Sequence, residues 1–531
     1  METEPRRSGV TRGETAVLAL LVFLAFAVRA YFLIQHPIVY HYDAVTRLGL
    51  YDVLAVRRWL PIPQIFIMVH DWIGFPLLAF SWICALWSLA AVGLAWAFWR
   101  RLVGSPVAFA LAVLFAFSPP FLLAGVNPYQ EAFFFTFLFG GILLLEARLD
   151  AADRITRTPK TGAKSGARRL LLGALLLGLA GLCRFEAWAL ALFLIGRVAW
   201  RETRTAAPLG SRLLGGLRRA LIPLAVAYAL PALWLIYISV AAGEGGRGSV
   251  DTMIYLPASP SAGGETGSAA NPVVAYAREF ARQAAQILNP RGHLAALTPW
   301  PLAAVGLLGF PLLIPPLRRG GRAAPFYIAL IIPVLAVEAW AGRFFPLAPR
   351  VFLTVFVFWL PLLGLVLSAP ARWLGRPGAE RVRSAGIVLT LLLAVAVSAT
   401  GAAHSLRRFA ASAGRVQQHA VFAGAPHAAA DIRRHARERE GDPAPAHVVA
   451  AHEREALALR IYLHGSDVPV TWIPPGVEDS ARREVTPPAY WIVRDAPAEE
   501  RRARDNGVIL RDDPAWFILF LPPSASPSRT E

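Results

Sequence analysis

The sequence predicts an α-helical polytopic membrane protein of about eleven transmembrane helices, with a small extracytoplasmic α/β domain at its C-terminus. Three observations predict it. Apolar runs of about the 20 residues a bilayer requires recur along most of the chain. Of 531 residues 56% are hydrophobic and only 17% charged, where a soluble protein carries about a quarter charged. The basic residues fall mostly between the apolar runs, so the formal net charge of +18 reads as membrane topology and no nucleic-acid partner is expected.

The spans run roughly over 15–35, 75–99, 105–125, 131–148, 170–183, 186–201, 220–240, 298–317, 323–341, 348–368 and 384–403. The first could imitate a signal peptide, because Arg6 and Arg7 precede an apolar run from Ala16. No clear small-residue cleavage site follows, so it reads as a retained span. The fifth and sixth spans are short, separated only by Arg184 and Phe185, and read as a tight hairpin or a re-entrant pair.

A cytoplasmic N-terminus makes the charges consistent. Alternate connections then hold Arg100 and Arg101, the group from Arg154 to Arg169, the group from Arg201 to Arg219, Arg318 to Arg322, and Arg372 to Arg383. This is the positive-inside pattern. It puts outside the first loop 36–74, the turn Asn127-Pro128-Tyr129-Gln130, the long Gly/Ser/Ala-rich loop 241–297 and everything after about 403. Residues 1–403 thus form the membrane domain. Residues 404–531 alternate short apolar runs, such as Val448-Val449-Ala450 and Tyr490-Trp491-Ile492-Val493, with charged helical stretches. They read as the small α/β domain, ending in a disordered tail. The basic residues are nearly all Arg, with Lys160 and Lys164 the only lysines, which reads as a GC-rich bacterial genome and a bacterial plasma membrane.

The residues that carry chemistry lie on the outer side. Asp43 follows the first span and opens the segment Asp43–Trp59, whose apolar residues Val45, Leu48, Leu50, Val53, Leu54 and Val56 have an approximate helical period. The segment reads as an amphipathic helix at the membrane surface, with Arg47 one turn after Asp43. An acid at a helix start is favoured by the helix dipole and stays ionised. It serves equally as an N-cap or as a base, and the roles are compatible. Glu131 opens the fourth span, where it is either an interfacial acid or a functional one. Arg184 and Glu186 sit together between the fifth and sixth spans and are placed to pair. Glu338, Arg343 and Arg350 flank the outer end of the ninth and tenth. Arg suits phosphate because its planar fork donates two parallel hydrogen bonds, while snorkelling to lipid headgroups is the plainer reading.

His36, His41, His70 and Asp71 share the loop with Asp43. Their spacing matches no zinc signature, so no metal and no other cofactor is expected, a divalent ion being the alternative. Cys84 and Cys183 lie inside predicted spans, which gives no disulfide framework and no Cys-based zinc site. The sequence has no phosphate-cradling Gly loop, no nucleophile elbow and no HExxH, which removes nucleotide hydrolysis and serine or zinc proteolysis.

One ordered set of features runs through the chain. A first span is followed by His41-Tyr42-Asp43 and a helix with Arg47, then Gly74-Phe75-Pro76-Leu77-Leu78 enters span two. Ser118-Pro119-Pro120 closes span three and Glu131 begins span four. Gly178 to Cys183 then lead into Arg184-Phe185-Glu186, and Arg343-Phe344-Phe345-Pro346 precedes a late span. In this order the chain resembles the GT-C superfamily of integral-membrane glycosyltransferases, which includes protein O-mannosyltransferases and bacterial lipid A aminoarabinose transferases. The resemblance covers roughly 15–200 and, more loosely, 323–400. Many members carry Asp-Glu in the first loop, whereas Ala44 follows Asp43 here, so the second carboxylate is absent.

The resemblance implies transfer of a sugar from a polyprenyl-phosphate donor to an extracytoplasmic glycan, lipid or protein acceptor. A phosphate leaves readily as an anion, so one base suffices, unlike the two carboxylates of a glycosidase. Asp43 would be the general base. Arg184 and Arg343, then Arg47 and Arg350, would neutralise the departing phosphate, Glu131 would position acceptor or donor hydroxyls, and Glu186 would bind substrate. Two other classes compete: a transporter or flippase of lipid-linked precursors, and a structural membrane subunit in which these side chains do not converge.

Overall fold

The structure, a computed structural model, describes residues 10–35, 42–49, 60–155, 163–203, 209–241, 272–289, 291–314, 323–342, 352–374, 380–417, 420–439, 447–450, 453–464, 466, 468–472, 489–493, 508–513 and 516–521. Helix α1 (Arg12–Gln35) precedes the short α2 (Tyr42–Gly49) and α3 (Ile62–Trp72), and a single turn over Leu77–Ala79 leads into α4 (Phe80–Val103). Then come α5 (Ser105–Phe117), α6 (Pro119–Ala124), α7 (Glu131–Ile155), α8 (Ala163–Gly181), α9 (Glu186–Glu202) and α10 (Leu209–Ala241). The second half has α11 (Pro272–Leu288), α12 (Trp300–Leu307), α13 (Ala323–Ala329), α14 (Ile331–Gly342), α15 (Leu353–Leu367), α16 (Ala369–Leu374), α17 (Glu380–Gln417) and α18 (Ala420–Glu438).

Six helical segments among the described residues are long and apolar enough to cross a membrane: Arg12–Gln35, Leu77–Val103, Glu131–Asp150, Leu213–Tyr237, Ala323–Trp340 and Ser384–Ala411. The sequence reading expected about eleven. Several of the others are shorter for a local reason. The run read as one span over 105–125 breaks at Ser118, which is extended at φ −57°, ψ 135°. A residue before proline is pushed out of the helical region, and Pro119 follows. In the described part of the run over 298–317, the helix Trp300–Leu307 ends before a single turn at Pro311–Leu313. Helices α5 and α15 are buried on nearly all sides, so they are core elements packed by other helices. The α17 helix, at 38 residues, extends about 57 Å at 1.5 Å per residue. It therefore outruns the hydrocarbon layer of about 30 Å and leads to the C-terminal unit.

Helix α7 is the centre of the first half, packed between α4 and α8. Near its far end Glu146 pairs with Arg197 of α9 and accepts a hydrogen bond from the Tyr327 hydroxyl of α13 at 2.6 Å. Arg197 lies over the rings of Phe326 and Tyr327. The α1 helix is fastened by a fully buried Arg29. Its guanidinium donates to the backbone oxygens of Ala25 at 3.0 Å and Ala116 at 3.1 Å, so its charge meets the carbonyl end of α5. Glycine at 125 makes this possible, because a Cβ there would lie 2.4 Å from Arg29 Nε and 2.8 Å from Ser88 Oγ. The guanidinium cannot swing aside without losing both carbonyl bonds. Gly125→Ala is therefore expected to cost about 1–3 kcal/mol, read as a lower unfolding midpoint of the protein in detergent.

The C-terminal unit contains α18, α19 (Glu453–Leu463) and a sheet of β1 (His447–Ala450), β2 (Val470–Trp472), β3 (Ala489–Val493), β4 (Val508–Asp513) and β5 (Trp516–Leu521). The strand order is β2-β1-β3-β5-β4. Strands β2, β1 and β3 run parallel, and β3, β5 and β4 antiparallel. Helix α19 connects the parallel pair β1 and β2, as a parallel connection requires. Helix α18 packs on the sheet through His435, which meets the Tyr490 hydroxyl at 3.2 Å and the Phe520 ring at 4.6 Å. Burial pushes the Tyr490 phenol up to about 12 and lowers the His435 imidazole, so both are neutral at pH 7.

Candidate active site

The first turn of α7 and the turn between α8 and α9 meet. Leu182 to Phe185 form that turn, with the amide of Cys183 donating to Ala180 O at 2.9 Å and that of Arg184 also to Ala180 O at 2.9 Å. Glu131 and Glu186 each occupy the first turn of a helix, where the dipole favours a negative charge. Between them lies Arg184. Its Nη1 donates to Glu131 Oε1 at 2.8 Å and its Nε to Glu186 Oε1 at 2.8 Å, while Nη2 bonds Glu186 as well. Glu338 of α14 approaches Nη2 at 3.5 Å. All four side chains are buried, none more than 6% exposed. Three carboxylates thus surround one guanidinium, whose planar fork lets it face several acceptors at once. Phe134 covers it, with its ring centroid 5.7 Å from Cζ. The second oxygen of Glu131, Oε2, is buried without a hydrogen-bond partner among the described residues.

Arg47 reaches this cluster from α2. It is 3% exposed and donates to Gln64 Oε1 at 3.3 Å and to Gln130 Oε1. Gln64 in turn donates to the Arg47 backbone oxygen at 3.0 Å. Gln130 directly precedes Glu131, so the α2 helix is joined to the head of α7. The amide of Ile62, at the start of α3, donates to Leu182 O at 3.3 Å and ties the same loop to the Arg184 turn. Asp43 lies in the first turn of α2, but its side chain is outside the described residues, as are Arg343, Arg350, His36, His41 and segment 50–59. Of the helix expected over Asp43–Trp59, the described part is Tyr42–Gly49.

An apolar cavity of about 830 Å³ lies next to the cluster, between α9, α10, α11 and α14. Phe185, Trp188, Tyr276, Ile332, Val337 and Trp340 line it. Phe185 stands between Arg184 and Glu186 in the chain, and Val337 next to Glu338. Helix α11, from the long loop 241–297, closes one side, with the Tyr276 hydroxyl donating to Ala336 O at 3.1 Å.

No protein-family model matches the chain, and no curated protein matches it by sequence. Several solved structures match it by fold, two of them of one protein. The crystal structure of ArnT from Cupriavidus metallidurans bound to undecaprenyl phosphate aligns over 96% of this chain and 98% of its own, with a TM-score of 0.56 and 14% identity. The apo state of the same protein aligns over 96% and 97%, with a TM-score of 0.54 and 14% identity. The chain shares the fold of that protein. At this identity the likeness speaks for the arrangement of helices and not for any side chain.

The structure joins Glu131, Arg184 and Glu186 directly and Arg47 through Gln130. The sequence placed Glu338 at the outer end of the ninth span, and it proves to belong to the same group. Gln64 and Gln130 went unnoticed. Gln64 sits in the apolar run Ile62–Trp72 and is buried, and an amide there needs hydrogen-bond partners, which was the available signal. No group of three or more His, Cys, Asp or Glu able to hold a metal occurs among the described residues. Of the loop residues weighed for a metal, His70 Nε2 meets Pro76 O at 2.9 Å and Asp71 meets His464.

Proposed function

We propose that the protein is a membrane glycosyltransferase that moves a sugar from a polyprenyl-phosphate donor to an extracytoplasmic acceptor. The observation that carries this reading is the interleaving of the ion cluster with the apolar cavity. Phe185 lines the cavity while its chain neighbours Arg184 and Glu186 belong to the cluster, so a ligand seated there would lay an apolar tail along the cavity with its polar head toward the cluster. A lipid-linked sugar has that form, and the ArnT structure that shares this fold holds undecaprenyl phosphate.

In the reaction, Asp43 accepts the proton of the acceptor nucleophile as that atom attacks the anomeric carbon. The bond from that carbon to the phosphate oxygen breaks and its electrons leave with the polyprenyl phosphate. A single in-line displacement inverts the anomeric centre. Arg47, Arg343 and Arg350 are assigned to the departing phosphate. Arg184, first read as another of these, is surrounded by carboxylates; we assign it to holding Glu131 and Glu186 in place beside the donor. Glu131 Oε2, an acceptor without a partner among the described residues, suits a sugar or acceptor hydroxyl. The protein sits in the bacterial plasma membrane with its N-terminus in the cytoplasm and the C-terminal unit outside.

Purified protein incubated with a panel of polyprenyl-phosphate sugars and candidate acceptors is expected to release polyprenyl phosphate as the acceptor gains the sugar. Movement of intact lipid-linked sugar across proteoliposomes, with no bond cleaved, would instead identify a flippase.

A further inference from the structure

An eight-residue helix is too short to hold its shape in water, so α2 depends on what packs against it. Its apolar residues Ala44, Val45 and Leu48 are at most 1% exposed. Among the described elements, its main packing partner is α19 of the C-terminal unit. Helix α19 is itself buried along Ala456 to Leu459 and again at Ile461 to Leu463, as a helix covered on several faces must be. It lies against α18, β1 and β2, and also touches the Leu77–Ala79 turn that follows α3.

The same helix is fastened a second time. His464 directly follows α19, and its Nε2 lies 2.5 Å from Asp71 Oδ1 in the last turn of α3. Two turns earlier on α3 is Gln64, which accepts from the Arg47 side chain and donates to its backbone oxygen. The contacts form a closed circuit. Helix α19 packs on α2, α2 is bonded through Arg47 to Gln64 of α3, and α3 is bonded through Asp71 to His464 at the end of α19.

We infer that the C-terminal α/β unit is a clamp that fixes the position of α2, with His464 and Asp71 as positioning residues. Its importance for turnover rests on the proposed function, because α2 is the helix that bears Asp43. A carboxylate on an unsupported short helix would sample many positions, and a base must be held within about 0.5 Å of its working geometry. Among the described contacts the membrane domain holds α2 through the polar anchors at Arg47, and its main packing comes from a segment at the other end of the chain.

The test compares the full-length wild type with His464→Ala and with the isosteric Asp71→Asn, in detergent, by amide hydrogen exchange. Residues 42–49 are expected to exchange about two- to fivefold faster in both variants, the effect of losing a partly exposed ion pair. Amides of α4 and α7 should keep their protection, which separates loosening of the clamp from general unfolding. The double variant should be no faster than either single one, since both remove the same contact. Unchanged exchange over 42–49 in both single variants would overturn the clamp. A parallel turnover assay addresses the other reading. Faster exchange with a lowered kcat and an unchanged KM supports both. Faster exchange with wild-type kcat keeps the clamp and removes α2 from the chemistry.

Discussion

Asp43→Asn is expected to lower sugar transfer by about 10²–10⁴-fold, the contribution of a positioned general base. The substitution keeps the size and shape of the side chain and removes the ionisable oxygen. The nucleophile then has to lose its proton to water as it attacks, and the transition state forfeits a fixed negative charge beside the developing positive one. Binding of the lipid donor should persist, because the groups assigned to its phosphate and tail lie elsewhere. The expected pattern is a lowered kcat with a nearly unchanged KM. The fold should survive as well, since loss of an Asp at a helix start costs about 1 kcal/mol. Purified variant that turns over at the wild-type rate would remove Asp43 from the role of base.

The second large effect is on stability. Arg184→Gln leaves Glu131, Glu186 and Glu338 facing one another without the guanidinium that now lies among them. Breaking a buried ion pair by removing one partner costs about 3–5 kcal/mol, and here one residue serves three. The variant is expected to unfold at a markedly lower temperature or to fail to accumulate in the membrane. Arg184→Lys should be intermediate, because an ammonium keeps the charge but lacks the planar fork that faces several acceptors. Glu338→Gln makes the contrasting case. It removes one of three carboxylates from around a single cation and preserves the shape, so stability should change by no more than about 1 kcal/mol. A loss as large as that of Arg184→Gln would mean that the cluster depends on all three charges.

These two predictions differ in how far the sequence could see. Asp43 was legible as a candidate because an acid after a first span is conspicuous, and α2 was legible from its apolar period. Helices α4 and α7 were also legible, because about 20 apolar residues in sequence have few alternatives to a membrane helix. Elsewhere the apolar runs and the described helices differ in length. The runs at 105–125 and 298–317 are apolar enough for spans, yet each is broken at proline, and α5 and α15 are short helices wrapped by others. Composition reports that a segment avoids water. It does not report whether lipid or protein takes the water's place.

The candidate site shows the same division. The sequence by itself determined an α-helical membrane protein and a short set of polar residues that do not belong in it: Asp43, Arg47, Glu131, Arg184, Glu186 and Glu338. Only the tertiary structure decided which of them meet. Arg184 bonds Glu131, 53 positions away, and Glu338, 154 positions away, and α2 is packed by a helix from the far end of the chain. The physical reason is that transfer from water to an apolar phase is a property of each residue alone. An ion pair in a low-dielectric interior is a property of two, and depends on a distance that the order of residues does not contain.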